Sequence, residues 1–223
     1  MLSDGDRVAV GVSGGKDSLL TLWALAKLRR FYPRKFELEA ITLDMGSGAD
    51  FSGVAELCRE LDVPYTVVPT QIFEVVFNIR RETNPCSLCA KMRRGALHGA
   101  AADRNCRKAA LGHHLDDAVE TFMLSLFYEG RVSCFQPVTY LDRMDITLIR
   151  PLIYAEEWQV RQAVKELGLP VVHNPCPANG ATKREEIKNL LKTLEKDYPE
   201  LRRKVFGAMK RYPIEGWAAA DGD

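Results

Sequence analysis

The sequence predicts an α/β domain, with a doubly wound, mostly parallel five-stranded sheet and C-terminal helices. Short apolar runs rich in β-branched residues alternate with segments whose apolar residues recur at helical spacing. The first apolar run, residues 8–12, leads through a glycine turn into a helical pattern. Alternation of this kind is typical of parallel sheets buried between two helical layers.

The elements follow one another with short connections and no internal repeat. Strands are predicted, in chain order, at residues 8–12, 36–43, 64–68, 108–112 and 145–149, with a strand-like segment at 169–172. Helices are predicted at residues 18–31, 51–61, 86–97, 116–128, 156–167, 183–196 and 201–210. We expect residues 1–180 to form one domain, and 181–223 to be a helical extension of it.

Composition narrows the class of protein. The 223 residues are 46% hydrophobic and 27% charged, which is the balance of a soluble globular protein. The net charge of +1 provides no global attraction to nucleic acid, so such contact must come from local basic patches. No apolar run is long enough to span a bilayer. Six cysteines without a secretory pattern favour thiol chemistry or metal binding, and we expect a cytoplasmic protein without membrane contact.

The turn after the first strand reads Ser13-Gly14-Gly15-Lys16-Asp17-Ser18. Glycines let the backbone turn sharply and present its amides to an anion, and the helix N-terminus and Lys16 add positive charge. Asp17 and Ser18 are expected to cap the helix. A phosphate is therefore the expected occupant. The Walker pattern fails because Val10 and Asp17 stand where Gly and Ser or Thr are required, and the spaced glycines of a dinucleotide site are missing.

This run resembles the Ser-Gly-Gly-x-Asp-Ser signature of the PP-loop (N-type) ATP pyrophosphatases. The resemblance implies an adenine nucleotide alpha hydrolase-like fold, cleavage of ATP between its α and β phosphates, and adenylation of a substrate with help from Mg²⁺. Because ligands bind beyond the carboxyl ends of parallel strands, the second strand is also expected to meet the nucleotide. The expected ATP-binding residues are Ser13, Gly14, Gly15, Lys16, Asp17, Ser18, Leu43, Gly112, Asp116 and Asp117.

A second polar run, Gly112-His113-His114-Leu115-Asp116-Asp117, follows a predicted strand and opens a helix. Either aspartate can cap that helix. In a functional interpretation, the two carboxylates hold Mg²⁺ or orient the adenylated base. Two histidines beside two aspartates also fit a hydrolase metal site, which remains an alternative here.

Three cysteines form the second chemical feature. Cys86 and Cys89 lie three residues apart at a helix start, where the helix end favours the thiolate. Cys176 stands between two prolines, which keep it out of regular structure. The pair alone fits a redox site, half a zinc site or part of an iron–sulfur site. With His173, the three thiols would complete a Cys₃His zinc site, and spacing alone leaves zinc and cluster about equal.

A pair of cysteines with a distant third resembles the tRNA 2-thiocytidine synthetase family of PP-loop enzymes. The resemblance covers about residues 7–191, including the second polar run and Arg150-Pro151-Leu152. It implies that Cys86, Cys89 and Cys176 hold a [4Fe–4S] cluster with one open iron, which passes sulfur to an adenylated tRNA base, expected to be cytidine. The expected catalytic residues are Asp117, Arg93, Cys86, Cys89 and Cys176, with Arg93 steadying the activated intermediate.

The expected partners are tRNA and a cysteine desulfurase or another sulfur donor. A set of basic residues is expected to form a track for the RNA backbone, although a solvated surface is the simpler interpretation of each one: Arg80, Arg81, Lys91, Arg93, Arg94, Lys183, Arg184, Arg202, Arg203 and Lys204. Familiar family members have more chain before the first strand, so a homodimer is expected to supply further tRNA surface, unless the substrate is different. An amidating ligase like lysidine synthetase, and a nucleotide-binding module with structural zinc, remain alternatives.

Overall fold

The computed structural model describes residues 1–46, 48–80, 85–172, 182–212 and 214–217. Its strands are, in chain order, β1 Asp6–Gly11, β2 Phe36–Asp44, β3 Tyr65–Pro69, β4 Lys108–Ala110, β5 Val138–Leu141 and β6 Ile146–Ile149. Its α-helices are α1 Lys16–Leu28, α2 Ser52–Glu60, α3 Pro85–Ala102, α4 Leu115–Glu129, α5 Glu157–Glu166, α6 Lys183–Leu194 and α7 Leu201–Arg211. A π-helical segment, Glu74–Ile79, precedes α3.

The strands form one sheet in the order β3-β2-β1-β4-β6-β5. The five strands from β3 to β6 run parallel, as the sequence predicts. The predicted strand count of five is corrected to six, because β5 pairs antiparallel with β6 at the edge of the sheet. All four β5 side chains are exposed or half-buried, so this segment lacks the continuous apolar signal of a central strand.

Alternate residues of β1 face two different helical layers. Val8 and Val10 are fully buried in a core with Leu19 and Leu22 of α1. Ala9, between them, is buried in a second core with residues of α3. The period of two along the strand therefore produces a sheet that is covered on both faces.

The order of the strands reverses next to β1. From β1 the chain proceeds outward through β2 and β3, and then returns to place β4 on the other side of β1. The turns that follow β1 and β4 therefore meet at the carboxyl edge of the sheet. Open α/β sheets bind their ligands at a switch point of this kind.

The C-terminal helices pack on α4 rather than on the sheet. Residues of α4, α6 and α7 share a third apolar core, in which Ala118, Leu191 and Met209 are fully or almost fully buried. This packing brings α6 beside the carboxyl edge of the sheet, where α4 begins. The division at residue 180 remains a prediction, since Cys176 and its neighbours at 173–181 lie outside the described residues.

Two further sequence predictions are corrected, while the other predicted elements occur within a few residues of their expected bounds. Residues 169–172 join no strand of the sheet: the amide of Val171 donates to the carbonyl of Leu169 in a tight turn, and Pro170 has no amide to donate to a ladder. The α1 helix begins at Lys16, with Gly15 at its N-cap, and neither Asp17 nor Ser18 caps it. Within the described residues, no helix combines the length and apolar character that a membrane crossing needs.

If the C-terminal helices unfold together with the sheet, a cavity in their core lowers the stability of the whole chain. We expect Leu191→Ala, at a fully buried position, to reduce the free energy of unfolding by about 2–5 kcal/mol in a single denaturant transition. The matched control is Leu190→Ala at the neighbouring position, which is 40% exposed and should change it by less than about 1 kcal/mol. A Leu191→Ala variant whose main transition stays in place would show that the extension unfolds separately.

Candidate active site

The glycine turn between β1 and α1 is held by hydroxyl groups. Ser18 Oγ donates to the carbonyl of Gly15 at 2.9 Å and accepts from the amide of Ser13 at 3.1 Å. Ser18 therefore secures the turn from within the first helical turn, instead of capping the helix. This arrangement leaves the amides at the start of α1 without a side-chain cap, as a site for a phosphate requires.

Gly14 meets the chain that leads toward Cys176. Its φ of +81° is in the left-handed region, and a Cβ there would lie 2.7 Å from Cβ of Val172. The carbonyl of Gly14 accepts a hydrogen bond from the amide of Val172 at 3.0 Å. Both backbone angle and space require glycine here. The contact ties the segment after α5 to the phosphate loop.

Gly112 brings the turns after β1 and β4 into contact. A Cβ on Gly112 would lie 2.7 Å from the carbonyl carbon of Asp17 and 2.9 Å from the amide nitrogen of Ser18. Those atoms belong to the first turn of α1. The absence of a side chain at this position therefore sets the spacing between the phosphate loop and the start of α4.

His114 lies between Asp117 of α4 and Asp17 of α1 and contacts both. Its Nδ1 accepts from the amide of Asp117 at 3.3 Å, and Asp117 Oδ2 accepts from the amide of His114 at 3.0 Å, so the two residues cap α4 reciprocally. The other ring nitrogen lies 3.6 Å from Oδ1 of Asp17. The N-cap of α4 is therefore His114 and not one of the aspartates predicted from the sequence, and Asp117 completes the cap from the third position of the helix.

Asp116 contacts the helices α5 and α7. It accepts from the amide of Glu157, at the start of α5, at 2.7 Å, and its other oxygen lies 3.3 Å from Nε of Arg202 in α7. It lines a groove of about 510 Å³ between α5, α6 and α7. Asp116 therefore joins three helices, and its predicted contact with ATP remains a prediction.

The carboxylates nearest the phosphate loop share a cleft of about 220 Å³, which Lys16 also lines. Burial, reinforced by the charge of Asp117, raises the pKa of Glu120 to about 7. Burial alone would also raise the pKa of Glu157, but hydrogen bonds from Lys188 and Arg161 hold it at about 2. Two carboxyl groups of one cleft therefore have opposite protonation tendencies near neutral pH.

His113 and His114 contact different partners. The ring of His113 lies 4.8 Å from the ring of Phe135, and burial, the largest cause, lowers the pKa of His113 to about 4. Among the residues that the structure describes, no group of three or more His, Cys, Asp or Glu is arranged to hold a metal ion. The hydrolase metal site considered from the sequence gains no support from this geometry.

The α3 helix runs antiparallel to β1. Leu97 approaches Gly11, at the carboxyl end of β1, so closely that a Cβ there would lie 2.9 Å from its side chain. Arg104, just beyond the other end of α3, lies 3.7 Å from Glu39, which in turn pairs with Arg7 near the start of β1 at 3.3 Å. The first turns of α3 therefore extend past the carboxyl edge of the sheet.

Cys86 and Cys89 lie on this projecting part of α3, beyond the same carboxyl edge of the sheet as the phosphate loop, although α3 covers the face opposite to α1. Cys86 is exposed and Cys89 is half-buried. About 12 Å of helix separates Cys89 from the level of Leu97. Arg93 follows Cys89 by four residues, which places it on the same face of α3, and it is exposed.

A family model described as a PP-loop domain matches residues 3–194. The chain belongs to the PP-loop family. It also belongs with the tRNA-cytidine(32) 2-sulfurtransferases: it is 40% identical to that of Pelobacter propionicus, over 94% of this chain and 79% of the relative. It is 39% identical to that of Geobacter sulfurreducens, over 94% of this chain and 83% of the relative.

Among solved structures, the U34-tRNA thiolase NcsA from Methanococcus maripaludis, with its [4Fe–4S] cluster, is similar to this PP-loop chain. Its TM-score is 0.74 at 26% identity, and the match covers 99% of this chain and 78% of that chain. NMN synthetase from Francisella tularensis, at 16% identity and a TM-score of 0.50, covers 85% of this chain and 78% of that chain, and shows the fold alone.

The predicted ATP-binding residues fall into different parts of the structure, and only some of them line the same cleft. Lys16, Asp17 and Asp117 line one cleft. Leu43 packs into the core at the carboxyl end of β2, near the same edge. The predicted residues that form or border the loop are Ser13, Gly14, Gly15, Ser18 and Gly112. Cys176 lies outside the described residues, so its role remains a prediction.

Sequence reasoning missed several residues of the cleft: His114, Glu120, Glu157, Arg184 and Lys188. His114 stands in the second polar run, and its place beside Asp117 was a usable signal. Glu157 is brought in from α5, while Arg184 and Lys188 come from α6. No local spacing in the sequence connects those helices to the phosphate loop.

Gly112→Ala should damage nucleotide binding because its Cβ would displace the first turn of α1. We expect MgATP to bind at least about tenfold more weakly, with a loss of about 1–3 kcal/mol in stability from overpacking. Calorimetric titration and denaturant unfolding measure both effects. The control is Gly99→Ala in α3, where a Cβ meets nothing within 4 Å and MgATP affinity should be unchanged.

Glu120 should make the chain less stable as pH rises. Its folded pKa of about 7 exceeds the ordinary value of 4.5, so the folded state keeps a proton that the unfolded state releases between those values. Glu120→Gln removes this loss. Relative to the unmodified chain, its stability should therefore improve by about 2–3 kcal/mol between pH 4.5 and pH 8.

Denaturant unfolding at several pH values measures this difference. His113 opposes the trend in the unmodified chain, because its lowered pKa makes stability rise between about pH 4 and 6.5. The comparison with Glu120→Gln removes that common contribution. The control is Glu56→Gln, in an exposed ion pair with Arg59, which should change the free energy of unfolding by less than about 1 kcal/mol at each pH. A constant difference for Glu120→Gln would contradict the assigned protonation state.

Proposed function

We propose that this chain is an ATP-dependent tRNA sulfurtransferase, which adenylates the 2-carbonyl oxygen of a cytidine and replaces it with sulfur by means of a [4Fe–4S] cluster. The observation that carries the proposal is the placement of an uncapped phosphate loop and an accessible cysteine pair beyond one edge of the sheet. The chain also belongs with sulfurtransferases named for cytidine 32 of tRNA.

The phosphate loop fits the tail of ATP. The amides at the start of α1 have no side-chain cap, and Lys16 adds a full charge beside them. These groups would bind the β and γ phosphates, which depart as pyrophosphate when the carbonyl oxygen of the base attacks the α phosphate. Leu43, at the end of β2, is proposed to meet the adenine.

Asp17 and Asp117 are the carboxylates that would hold Mg²⁺. Both contact the ring of His114, and magnesium sites in phosphate chemistry use one or two carboxylates together with the phosphates themselves. This assignment differs from the adjacent pair considered from the sequence, because both oxygens of Asp116 engage α5 and α7. Asp116 would then keep the cleft in shape.

The cysteines divide into two chemical groups. Burial raises the pKa values of Cys58 and Cys134 to about 12, and it also raises that of Cys106, so these thiols stay protonated. Cys86 is exposed and Cys89 is half-buried, and their spacing on one face of α3 fits a cluster that needs thiolate donors.

Cys176 is proposed as the third ligand. It follows Val172, which contacts Gly14, by four residues, and four residues span at most about 14 Å. Held by Cys86, Cys89 and Cys176, the cluster would supply sulfur-transfer chemistry at the activated carbon of the base, from which AMP leaves. Arg93, on the face of α3 shared with Cys89, is proposed to steady the adenylated base.

Further partners follow from this function. A cysteine desulfurase or another donor is proposed to supply the sulfur. A homodimer is proposed to extend the surface for tRNA, and the cytoplasmic location predicted from the sequence is consistent with a tRNA substrate. Zinc bound by Cys86, Cys89, His173 and Cys176 is the rival occupant, and the cluster of the similar thiolase NcsA favours iron.

Alanine substitutions test the cluster directly. We expect Cys86→Ala and Cys89→Ala, purified without oxygen, to lose at least about 90% of their iron and acid-labile sulfide and to form no thiocytidine in tRNA. Metal analysis and mass spectrometry of digested nucleosides measure both. The control is Cys58→Ala, at a buried position distant in sequence, which should keep its iron and its activity.

Three results would count against the proposal. Colourless protein with stoichiometric zinc would exclude the cluster. Folded cysteine variants that keep their activity would favour an amidating ligase. Release of ADP instead of AMP and pyrophosphate would exclude PP-loop chemistry altogether.

A further inference from the structure

The phosphate cleft contains positive charge from outside the glycine turn. Arg184 and Lys188 of α6 line the same cleft of about 220 Å³ as Lys16. Arg184 donates to Oδ1 of Asp117 at 3.2 Å and to the hydroxyl of Thr121 at 2.8 Å. The guanidinium is therefore held between α4 and α6 at the cleft, although 42% of the side chain remains exposed. Its predicted place in a track for the RNA backbone stays a prediction.

Lys188 reaches the cleft one helical turn later. Its Nζ lies 3.0 Å from one oxygen of Glu157 and 3.2 Å from the other, and Lys16 Nζ lies 3.3 Å from that second oxygen. Glu157 thus pairs with one cation from the phosphate loop and one from α6, in addition to Arg161 of its own helix at 2.7 Å. This shared partner brings the two ammonium groups to the same part of the cleft.

The chemistry of the cleft requires more positive charge than the glycine turn supplies. Pyrophosphate is a multiply charged leaving group, and its departure is assisted by cations fixed where the charge develops. Lys16 is the one full positive charge of the glycine turn itself. Among the described residues that line the cleft, the further cations are Arg184 and Lys188. Arginine also binds phosphate oxygens with two donors at once.

We propose that Arg184 and Lys188 bind the β and γ phosphates of ATP and the departing pyrophosphate, opposite Lys16. This inference rests on the proposed adenylation reaction. Without nucleotide, Asp117 and Glu157 hold the two cations at the cleft, so little side-chain ordering remains to be done on binding. When nucleotide binds, phosphate oxygens replace these carboxylates as the partners of the cations. The C-terminal extension thereby contributes to the ATP site.

The test compares pyrophosphate with AMP, because the two probes divide the nucleotide at the bond that breaks. Each is titrated with Mg²⁺ into full-length, cluster-loaded protein by calorimetry. We expect Arg184→Gln and Lys188→Gln each to weaken pyrophosphate binding about tenfold, as loss of one charge-assisted hydrogen bond predicts, and to change AMP binding by less than about twofold.

The matched control is Lys183→Gln on the same helix. Lys183 pairs with Glu186 on the surface, 3.1 Å away, and its side chain is 65% exposed. It should bind both probes as the unmodified chain does. Unchanged pyrophosphate binding in the cleft variants, or an equal loss of AMP binding, would overturn the proposal and leave Arg184 and Lys188 as purely structural residues.

A second variant decides the outcome if Arg184→Gln fails to fold. Arg184→Lys keeps the charge but loses the two-pronged donor, so it should weaken pyrophosphate binding by about threefold. Unchanged binding would again overturn the proposal. Failure of the proposed function gives a different result. If the variants weaken pyrophosphate binding as expected but the unmodified chain forms no thiocytidine in tRNA, the proposed substrate is contradicted and the phosphate contacts are not.

Discussion

The close approach of Gly112 to the first turn of α1 is the constraint on which the site depends. β4 lies beside β1 because the strand order reverses there, and the missing side chain lets the turn after β4 contact the backbone of Asp17. Because of this contact, His114 and Asp117 at the start of α4 lie beside the phosphate loop. α4 in turn provides the surface on which α6 and α7 pack, so the cleft and the C-terminal core share one support.

Much of the fold could be predicted from the sequence, because its signals are local. The apolar runs of β1 and β2, the glycine turn, and the helical spacing of α4 each identify an element within a dozen residues. The edge strand β5 was missed and the segment at Pro170 was wrongly expected to be strand-like, because pairing between distant segments decides whether a short run joins the sheet and local composition does not.

Some residues of the site could also be predicted from local sequence, and others could not. Lys16, Asp17 and Asp117 occur in recognisable runs, and the structure places them in one cleft. Glu157 and Lys188 look like ordinary surface charges of amphipathic helices in the sequence. They acquire a role only when α5 and α6 pack beside the sheet edge and bury them against Lys16. Their ion pairs, together with the burial of Glu120, set the protonation states of the cleft, and that information resides in tertiary contacts.

The unequal burial of the cysteines has a consequence for survival in air. Oxidants attack thiolates that they can reach. Burial raises the pKa values of Cys58, Cys106 and Cys134 and keeps their thiols protonated; Cys58 and Cys106 are also shielded, while Cys134 is half-buried. Among the described cysteines, oxidative damage should therefore concentrate on Cys86 and Cys89. A molecule inactivated by a disulfide or a sulfenic acid at these positions would keep its folded core, so reduction and reloading with iron and sulfide would restore it without refolding.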